Sequence, residues 1–443
     1  MKKKLLVLLS GLLLTSYVTT AVASPQNNPG KGKDTEFALG IDNLLEDDID
    51  LIKNKKVGLV TNPTGVDQEL NSIVDILFED PEVDLTALYG PEHGVRGDAQ
   101  AGEYVEFYID ERTGLPVYSL YGKTRKPSDD MLEDVEVLLF DIQDVGTRFY
   151  TYIYTMAYVM EAAEENDIPV VVLDRPNPIG GEKVEGPVLD PDYTSFVGMY
   201  PIPLRHGMTV GELAYFFNEE FDIGADLEVV EMDGWERWMH YDDLPLHWVL
   251  QSPNMPTLDT ALVYPGAALI EGTNASEGRG TTKPFELLGA PYMDSTELAS
   301  ELNGLDLPGV TFRAASFTPA FSKHAGDLSN GIQIHIDDRE AFKPVETGLH
   351  IVATMLELYP DDFEFIETWD GSSFFDNLIG NGETRQQLLD GKPVEEIVAS
   401  WEDGLEQFNK VREDYLLYEE HTKGRSPGSP DHPGRGANPP GNN

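Results

Sequence analysis

The stretch VEVLLFDIQDVGTRFYTYIYTMAYVMEAAEENDIPVVVLDRP, residues 135–176, carries the clearest structural pattern of the chain. Two short apolar runs, VEVLLFDI and PVVVLDRP, enclose a segment at 149–166 whose length and composition are typical of a helix. Apolar runs without polar alternation are typical of strands that are buried on both faces, as in parallel sheets. The stretch therefore predicts two buried strands of a parallel sheet, with a helix between them that covers the sheet.

The same alternation of strands and helices begins near residue 57. A helix-like segment occupies 68–80, and further apolar runs of strand length are VGLV (57–60), DLTALYG (84–90) and LPVYSLYG (115–122). Buried strands that alternate with helices predict an α/β fold, here a Rossmann-like parallel sheet covered on both faces. We assign this domain to residues 41–260.

The pattern changes after LEVVEMDGW (227–235), and residues 252–285 are predicted to form loops. The segments that follow mix helix-like and strand-like patterns: DSTELASELNG (294–304), GVTFRAASFTPAF (309–321) and GIQIHIDD (331–338). They predict a second, smaller α+β domain at 261–420, with the domain boundary near residue 260.

Both ends of the chain differ from this folded body. Three lysines precede the apolar run LLVLLSGLLL, and the small residues AVA end at Ala23, which predicts a secretory signal peptide at 1–23. Residues 24–40 are predicted to be a flexible leader, and the Pro-, Gly- and Asn-rich residues 421–443 a disordered tail. The chain has no cysteine, so disulfides and a lipid on an N-terminal cysteine are excluded. We expect an exported protein without membrane attachment after signal cleavage, in the extracellular or cell-wall space.

The charge of the chain is strongly negative. It has 79 acidic against 31 basic residues, for a formal net charge of −48. Nucleic acid is not expected as a partner, because phosphate backbones bind cationic surfaces. An acidic, well-hydrated surface suits a salty habitat, where counterions screen the repulsion between carboxylates. A halophilic or alkaline environment is the simplest expectation.

Polar side chains follow each predicted strand of the first domain, in turns rich in Gly or Pro. In doubly wound sheets, ligands bind outside the carboxyl ends of the strands, so these turns predict a site. The turns are TNPTG (61–65), GPEHGVRG (90–97), YGKTR (121–125), DIQDVGTRFYTY (141–152) and DRPNPIGG (174–181).

Several of these polar residues also have a structural explanation. Asparagines can cap turns, aspartates can cap the following helix, and a histidine can be a structural hydrogen-bonding residue. Glu92 differs, because Pro91 fixes the backbone before it and the neighbouring glycines allow a close approach. The pattern favours a catalytic role for Glu92. Both explanations stay open for Asn62, His93, Asp141, Asp144 and Asn177.

Arginines are frequent in the Gly- and Pro-rich segments of this acidic chain. A guanidinium binds carboxylates in a bidentate manner, so a pocket with several arginines indicates a small anionic ligand. The alternative is that they neutralise neighbouring carboxylates. The arginines concerned are Arg96, Arg148, Arg175, Arg205 and Arg279.

Common cofactor and nucleophile motifs are missing. The loop TNPTGVD lacks G-x-G-x-x-G and G-x-x-x-x-G-K-[ST], which argues against dinucleotide and P-loop sites, and no G-x-S-x-G elbow occurs. We expect no cofactor. A metal site built from Glu92, His93, Asp141 and Asp144 stays open, although no H-E-x-x-H spacing supports it.

Motifs along most of the chain resemble the NamZ family of exo-β-N-acetylmuramidases. They run in order from about residue 40 to 420: GLVTNPTGVD, LYGPEHGVRGDAQAG, LLFDIQDVGTRFYTYIYTM, LDRPNPIGG, PLRHGMTVGELA, SPNMPT and EGTNASEGRGTTKPFELLGAP. The resemblance implies a Rossmann-like domain whose active site lies in the cleft against the smaller domain. It also implies removal of the non-reducing terminal N-acetylmuramic acid from peptidoglycan-derived muropeptides or disaccharides.

The resemblance assigns Glu92 as the general acid that protonates the leaving oxygen, with His93 beside it. Asp141 or Asp144 is the candidate nucleophile or base, or else orients a substrate N-acetyl group that attacks. The lactyl carboxylate of N-acetylmuramic acid fits the predicted anionic ligand. The substrate-binding candidates are Asn62, Arg96, Arg148, Tyr150, Arg175, Asn177, Arg205, His206, Asn254, Glu271, Asn274, Glu277 and Arg279.

Two further readings of the residues compete with the glycosidase. A metal-dependent hydrolase would use Glu92, His93 and Asp141. A non-catalytic muropeptide-binding protein would also have two α/β domains with a cleft between them. The density of polar turns at the strand ends favours an enzyme.

Overall fold

A computed structural model of the chain describes residues 37–97, 106–369 and 371–418. The predicted signal peptide at 1–23 and the predicted tail at 421–443 lie outside the described residues. So does most of the predicted leader at 24–40. Its last residues belong to the fold: the Ala38 backbone pairs with Asp233, and Leu39 is buried.

A seven-stranded sheet forms the centre of the molecule. Its strands are β1 (Lys56–Thr61), β2 (Asp84–Gly90), β3 (Tyr108–Ile109), β4 (Pro116–Ser119), β5 (Val137–Asp141), β6 (Val170–Leu173) and β7 (Leu227–Val230). The spatial order is β3-β4-β2-β1-β5-β6-β7, and every pair is parallel except β3 with β4. The short apolar runs of the sequence form these parallel strands as predicted.

Helices cover both faces of this sheet. They are α1 (Gly40–Glu46), α2 (Ile73–Glu79), α3 (Asp129–Leu132), α4 (Tyr152–Glu165) and α5 (Val210–Glu220). Leu139 of β5 packs on one face with residues of α1 and α2. Its neighbours Leu138 and Phe140 point to the other face and pack with α4 and α5. The strands are apolar throughout because both faces are buried, which confirms the predicted Rossmann-like α/β fold.

A smaller antiparallel sheet follows, made of β8 (Leu287–Ala290), β9 (Val310–Phe317) and β10 (Ser329–Ile336) in the order β8-β10-β9. The helices of this part of the chain are α6 (Leu258–Ala267), α7 (Ser295–Gly304), α8 (Pro344–Leu358), α9 (Phe374–Ile379), α10 (Glu383–Leu389), α11 (Val394–Ala399) and α12 (Glu402–Arg412), and α7 packs on β9 and β10. Short 3-10 helices occupy Ile49–Leu51, Pro191–Tyr193, Tyr241–Asp243, Ala268–Gly272 and Glu413–Tyr415. The predicted smaller α+β part is therefore present.

Helix α6 corrects the prediction that residues 252–285 are loops. Pro265 lies inside the helix, and a proline in that position usually indicates a helix end. Gly266 allows α6 to pack closely on α8: a Cβ on it would lie 1.8 Å from the carbonyl oxygen of Pro344, at the start of α8. The close crossing of α6 and α8 stabilises a segment whose local sequence signal is weak.

The topology places the carboxyl ends of the central strands together. The chain leaves β1 toward β2 on one side, and β5 pairs with β1 on the other, so the order of the strands reverses beside β1. Such a switch point is where open α/β sheets bind ligands. None of the described helices is both long and apolar enough to cross a bilayer.

Candidate active site

The loop after β2 carries Glu92 into a cavity. A Cβ on Gly90 would lie 2.9 Å from the backbone nitrogen of Val95, so the loop folds tightly back on the strand end. The Gly94 amide donates to the Pro91 carbonyl at 3.0 Å and closes the turn. His93 has a φ of +74°, a left-handed conformation that is strained for a histidine. The turn leaves the Glu92 side chain half-buried and holds the His93 side chain buried.

The cavity has a volume of about 890 Å³, within the usual range for small-molecule sites. Its wall combines the loops after β2, β4 and β5 with the segment between β6 and α5. Further lining residues come from α6, from the segments on either side of α6, and from the loop after β9. The residues that line it are Glu92, His93, Tyr121, Phe149, Tyr150, Thr151, Tyr152, Phe196, Val197, Ser252, Asn254, Tyr264, Glu271, Arg279, Phe321 and Ser322. The predicted site at the strand ends and the predicted cleft therefore coincide.

Tyrosines surround Glu92. Burial, together with the charge of Glu92 and a hydrogen bond to it, raises the pKa of Tyr121 to about 12. Burial is also the main cause that raises the pKa of Tyr150 and of Tyr264, and the Glu92 charge adds to both shifts. These phenols stay neutral, so Tyr121 can donate to an ionised Glu92 or accept from a protonated one.

An ion-pair cluster forms another part of the wall. Arg279 lies 3.0 Å from Glu271 and 3.4 Å from Glu277, and Lys323 lies 3.1 Å from Glu277. Burial raises the pKa of Glu271, against the lowering effect of Arg279. Arg279 donates hydrogen bonds only, so it favours the ionised form of Glu271. Glu92 and Glu271 are the two carboxylates among the described lining residues.

The structure brings part of the predicted site together in this cavity. The predicted residues that line it are Glu92, His93, Tyr150, Asn254, Glu271 and Arg279. The amide nitrogen of Asn254 is buried and has no hydrogen-bond partner among the described residues, so a ligand can use this donor. Glu277 stands one contact away, behind Arg279.

The two candidate aspartates do not line the cavity. Asp141 is fully buried and accepts two hydrogen bonds from Arg175, at 2.5 and 2.8 Å. Asp144 accepts from the Gly146 amide at 2.7 Å and lies 3.8 Å from the buried His206. Asp141 therefore joins the end of β5 to the loop after β6, and Asp144 stabilises the turn after β5.

Four of the five predicted arginines are bound within the fold. Arg96 pairs with Asp110 and Asp75, and Arg175 with Asp141. The other two bind carbonyl oxygens or a glutamate: Arg148 donates to Pro187, Ile202 and Leu378, and Arg205 to Glu185 and Ile179. The alternative interpretation, that the arginines neutralise neighbouring carboxylates, therefore applies to Arg96, Arg175 and Arg205.

The predicted asparagines outside the cavity hold turns. Asn62 accepts from the Thr64 amide at 2.9 Å, and Asn177 donates to the Met208 carbonyl at 2.9 Å. Asn274 joins two loops by donating to the Asp362 carbonyl and accepting from Tyr292. Across residues 37–97, 106–369 and 371–418, no group of three or more His, Asp or Glu side chains is arranged to hold a metal ion.

Two family models match the chain in succession. The N-terminal model of "Exo-beta-N-acetylmuramidase NamZ" matches residues 57–259, and the C-terminal model matches residues 262–418. Together they span most of the sequence. The chain belongs to the NamZ family. The resemblance of the sequence motifs to NamZ is thereby confirmed.

Proteins similar to this chain match most of its length. The "Peptidoglycan beta-N-acetylmuramidase NamZ" of Bacillus subtilis (strain 168) is 59% identical over 418 residues, which is 94% of this chain and 100% of that protein. A crystal structure of a DUF1343 family protein from Bacteroides fragilis NCTC 9343 has a TM-score of 0.80 and 41% identity, over 87% of this chain and 99% of that one. A second such structure has a TM-score of 0.69 and 32% identity, over 87% and 100%.

Several cavity residues of this NamZ chain were absent from the sequence prediction. Tyr121 follows β4 in the turn YGKTR, whose polar composition does not indicate a role for the phenol. Aromatic lining residues carry no positional signal, because buried aromatic residues are common in any core. The residues concerned are Phe149, Tyr152, Phe196, Tyr264 and Phe321.

Proposed function

We propose that this chain is an exo-acting β-N-acetylmuramidase that hydrolyses non-reducing terminal N-acetylmuramic acid from peptidoglycan fragments. The main observation in support of this chemistry is the half-buried Glu92, which a tight turn holds in an aromatic cavity. The 59% identity to a NamZ muramidase over nearly the full chain supports the substrate class. The same identity favours a glycosidase over a metal-dependent hydrolase or a binding protein.

Glu92 is the proposed general acid, because Tyr121 can hydrogen-bond to it in both of its protonation states. Glycoside hydrolysis requires a carboxylic acid that gives its proton to the leaving oxygen and then regains one. The Tyr121 hydroxyl can donate to the carboxylate and accept from the acid, so neither state loses its hydrogen bond. Arg279 lacks this property and stabilises only the ionised form of Glu271.

Glu271 is the proposed second carboxylate in place of Asp141 and Asp144. A negative charge facing the sugar stabilises the oxocarbenium character that develops as the glycosidic bond breaks. When it is ionised and paired with Arg279, Glu271 can supply that charge. Asp141 and Asp144 do not line the cavity, because they bind Arg175 and the Gly146 amide within the fold.

The sugar itself is held by aromatic rings and an amide. Phe149 packs edge-on against Tyr264, with ring centroids 5.3 Å apart, and both rings face the cavity. Aromatic faces suit the C–H surfaces of a pyranose ring. The Asn254 amide nitrogen is a donor for the acetamido carbonyl of the substrate. We further propose that the protein acts outside the cell, as its predicted signal peptide indicates.

The test compares wild type with Glu92→Gln on a chromogenic β-N-acetylmuraminide, in high salt, with and without EDTA. We expect wild type to release the chromophore in both conditions and the variant to lose about 10²- to 10⁴-fold in kcat. Equal thermal unfolding temperatures control for folding. Wild-type rates in the variant would remove Glu92 from the mechanism, and loss of activity in EDTA would favour a metal-dependent hydrolase.

A further inference from the structure

Arg125 stands at the rim of the cavity, on the side of Glu92. It lies in the loop between β4 and α3, and its guanidinium carbon is 3.7 Å from the centroid of the Phe196 ring. Phe196 lines the cavity and contacts the ring of Tyr121, with centroids 5.8 Å apart. Tyr121 in turn hydrogen-bonds to Glu92. A continuous set of contacts therefore connects the Arg125 cation with the proposed general acid.

The charge of Arg125 is not neutralised by any described carboxylate. Arg279, the other arginine at this cavity, is bound by Glu271 and Glu277. Arg125, by contrast, forms no ion pair within residues 37–97, 106–369 and 371–418, although the chain as a whole carries a net charge of −48. A cation without a carboxylate partner in the described part of so acidic a protein can bind an anionic ligand.

The stacking on Phe196 also orients the guanidinium. A cation above an aromatic face is held by the ring quadrupole, which restrains the long arginine side chain. The N–H donors lie in the plane of the guanidinium, so contact with the ring leaves its edges open. An oriented guanidinium with open edges matches the geometry of a bidentate carboxylate.

We propose that Arg125 is a specificity-determining residue that binds the lactyl carboxylate of N-acetylmuramic acid. This inference rests on the proposed function. The lactyl ether is the group that distinguishes N-acetylmuramic acid from N-acetylglucosamine, so a cation at this position selects between the two sugars. A sugar whose glycosidic oxygen meets Glu92 can direct this substituent across Tyr121 and Phe196 toward Arg125.

The kinetic test uses 4-nitrophenyl β-N-acetylmuraminide and the same glycoside with its lactyl carboxylate converted to a carboxamide. In Arg125→Met we expect kcat/KM for the acid to fall about 10- to 100-fold, mainly through KM, because a charge-assisted pair is lost. The preference of wild type for the acid over the carboxamide should fall with it, and Arg125→Lys should recover part of the loss. Arg313→Met is the control, since Arg313 is exposed on β9 and bonds to Gln333.

Calorimetric binding of free N-acetylmuramic acid and N-acetylglucosamine separates this inference from the proposed function. We expect wild type to bind N-acetylmuramic acid more tightly, and Arg125→Met to lose most of that difference. If wild type shows this difference, Arg125→Met loses it and wild type hydrolyses neither glycoside, the proposed function fails and the Arg125 assignment stands. If wild type hydrolyses the muraminide and Arg125→Met keeps the wild-type preference for the acid, the Arg125 assignment is wrong.

Discussion

At the scale of single residues, the contact between Tyr121 and Glu92 is the most informative part of the site. The Tyr121 hydroxyl can hydrogen-bond to Glu92 in both of its protonation states. Tyr121→Phe keeps the ring and removes the hydroxyl, so we expect kcat to fall by about 10-fold, the value of one hydrogen bond to a charged group. Steady-state kinetics on the chromogenic muraminide measure this.

Tyr415→Phe is the matched control for that variant. The Tyr415 hydroxyl also donates to a glutamate, Glu220, at 2.7 Å, but on the surface away from the cavity. Its removal should leave kcat at the wild-type value. Equal losses in both variants would show that Tyr121 acts through general stability rather than through Glu92.

Arg96 should contribute to stability rather than to catalysis. Its hydrogen bonds lower the pKa of Asp110 to about 2, with burial opposing the shift. A carboxyl with a lowered folded pKa stabilises the fold above its unfolded pKa, near 3.8, and this contribution is lost as the pH falls through 2. Because Arg96 is partly exposed, we expect Arg96→Met to lower the free energy of unfolding at pH 7 by about 1 kcal/mol.

Urea unfolding of wild type and Arg96→Met between pH 2 and pH 7 measures this. The difference between the two proteins should be constant near neutral pH and shrink toward pH 2, while KM for the muraminide stays at the wild-type value. A raised KM with unchanged stability would return Arg96 to the substrate site that the sequence predicted.

These arginines show where sequence reasoning about the site ends. Glu92 and His93 could be predicted as site candidates from a local feature, because the apolar run ends at Gly90-Pro91 directly before them. The role of Arg148 could not, because it binds the Leu378 carbonyl, 230 residues away along the chain. Whether an arginine faces a cavity or a carbonyl is decided by such long-range contacts, which leave no local pattern.

At the scale of elements, the strands were predictable and α6 was not. A strand buried on both faces must be apolar throughout. Burial therefore explains the continuous apolar runs of β1, β5 and β6, which made these strands predictable. Helix α6 is buried all round and contains Pro265, so it shows neither an amphipathic period nor a clean helix signal. Its identity depends on the crossing with α8, which the local sequence does not encode.

That crossing gives a prediction at the same scale. In Gly266→Ala the new methyl group would meet the Pro344 carbonyl, so we expect the free energy of unfolding to fall by about 3 kcal/mol. Gly304→Ala is the control, because Gly304 ends α7 and a Cβ there meets nothing within 4 Å. The control should be neutral or stabilising by up to about 1 kcal/mol. Chemical denaturation compares them, and equal stability of the two variants would contradict the close packing of α6 on α8.

At the scale of the whole molecule, the two NamZ-matched segments interlock. The Tyr418 hydroxyl donates to Asp174 at 2.6 Å, and Asp174 directly follows β6 of the central sheet. Arg148, from the loop after β5, binds the end of α9 in the other segment. The cavity is lined from both segments, so these contacts join the two segments that carry Glu92 and Glu271. The described residues accordingly form one compact unit.

The most direct test of the central claim is the direction of attack on a defined disaccharide. Wild type and Glu92→Gln are incubated with N-acetylmuramyl-β-1,4-N-acetylglucosamine and, separately, with the reverse disaccharide, and the products are measured by mass spectrometry. We expect wild type to release free N-acetylmuramic acid from the first disaccharide only and Glu92→Gln to leave both intact. Cleavage of the reverse disaccharide by wild type, or full activity of Glu92→Gln on the first, would contradict it.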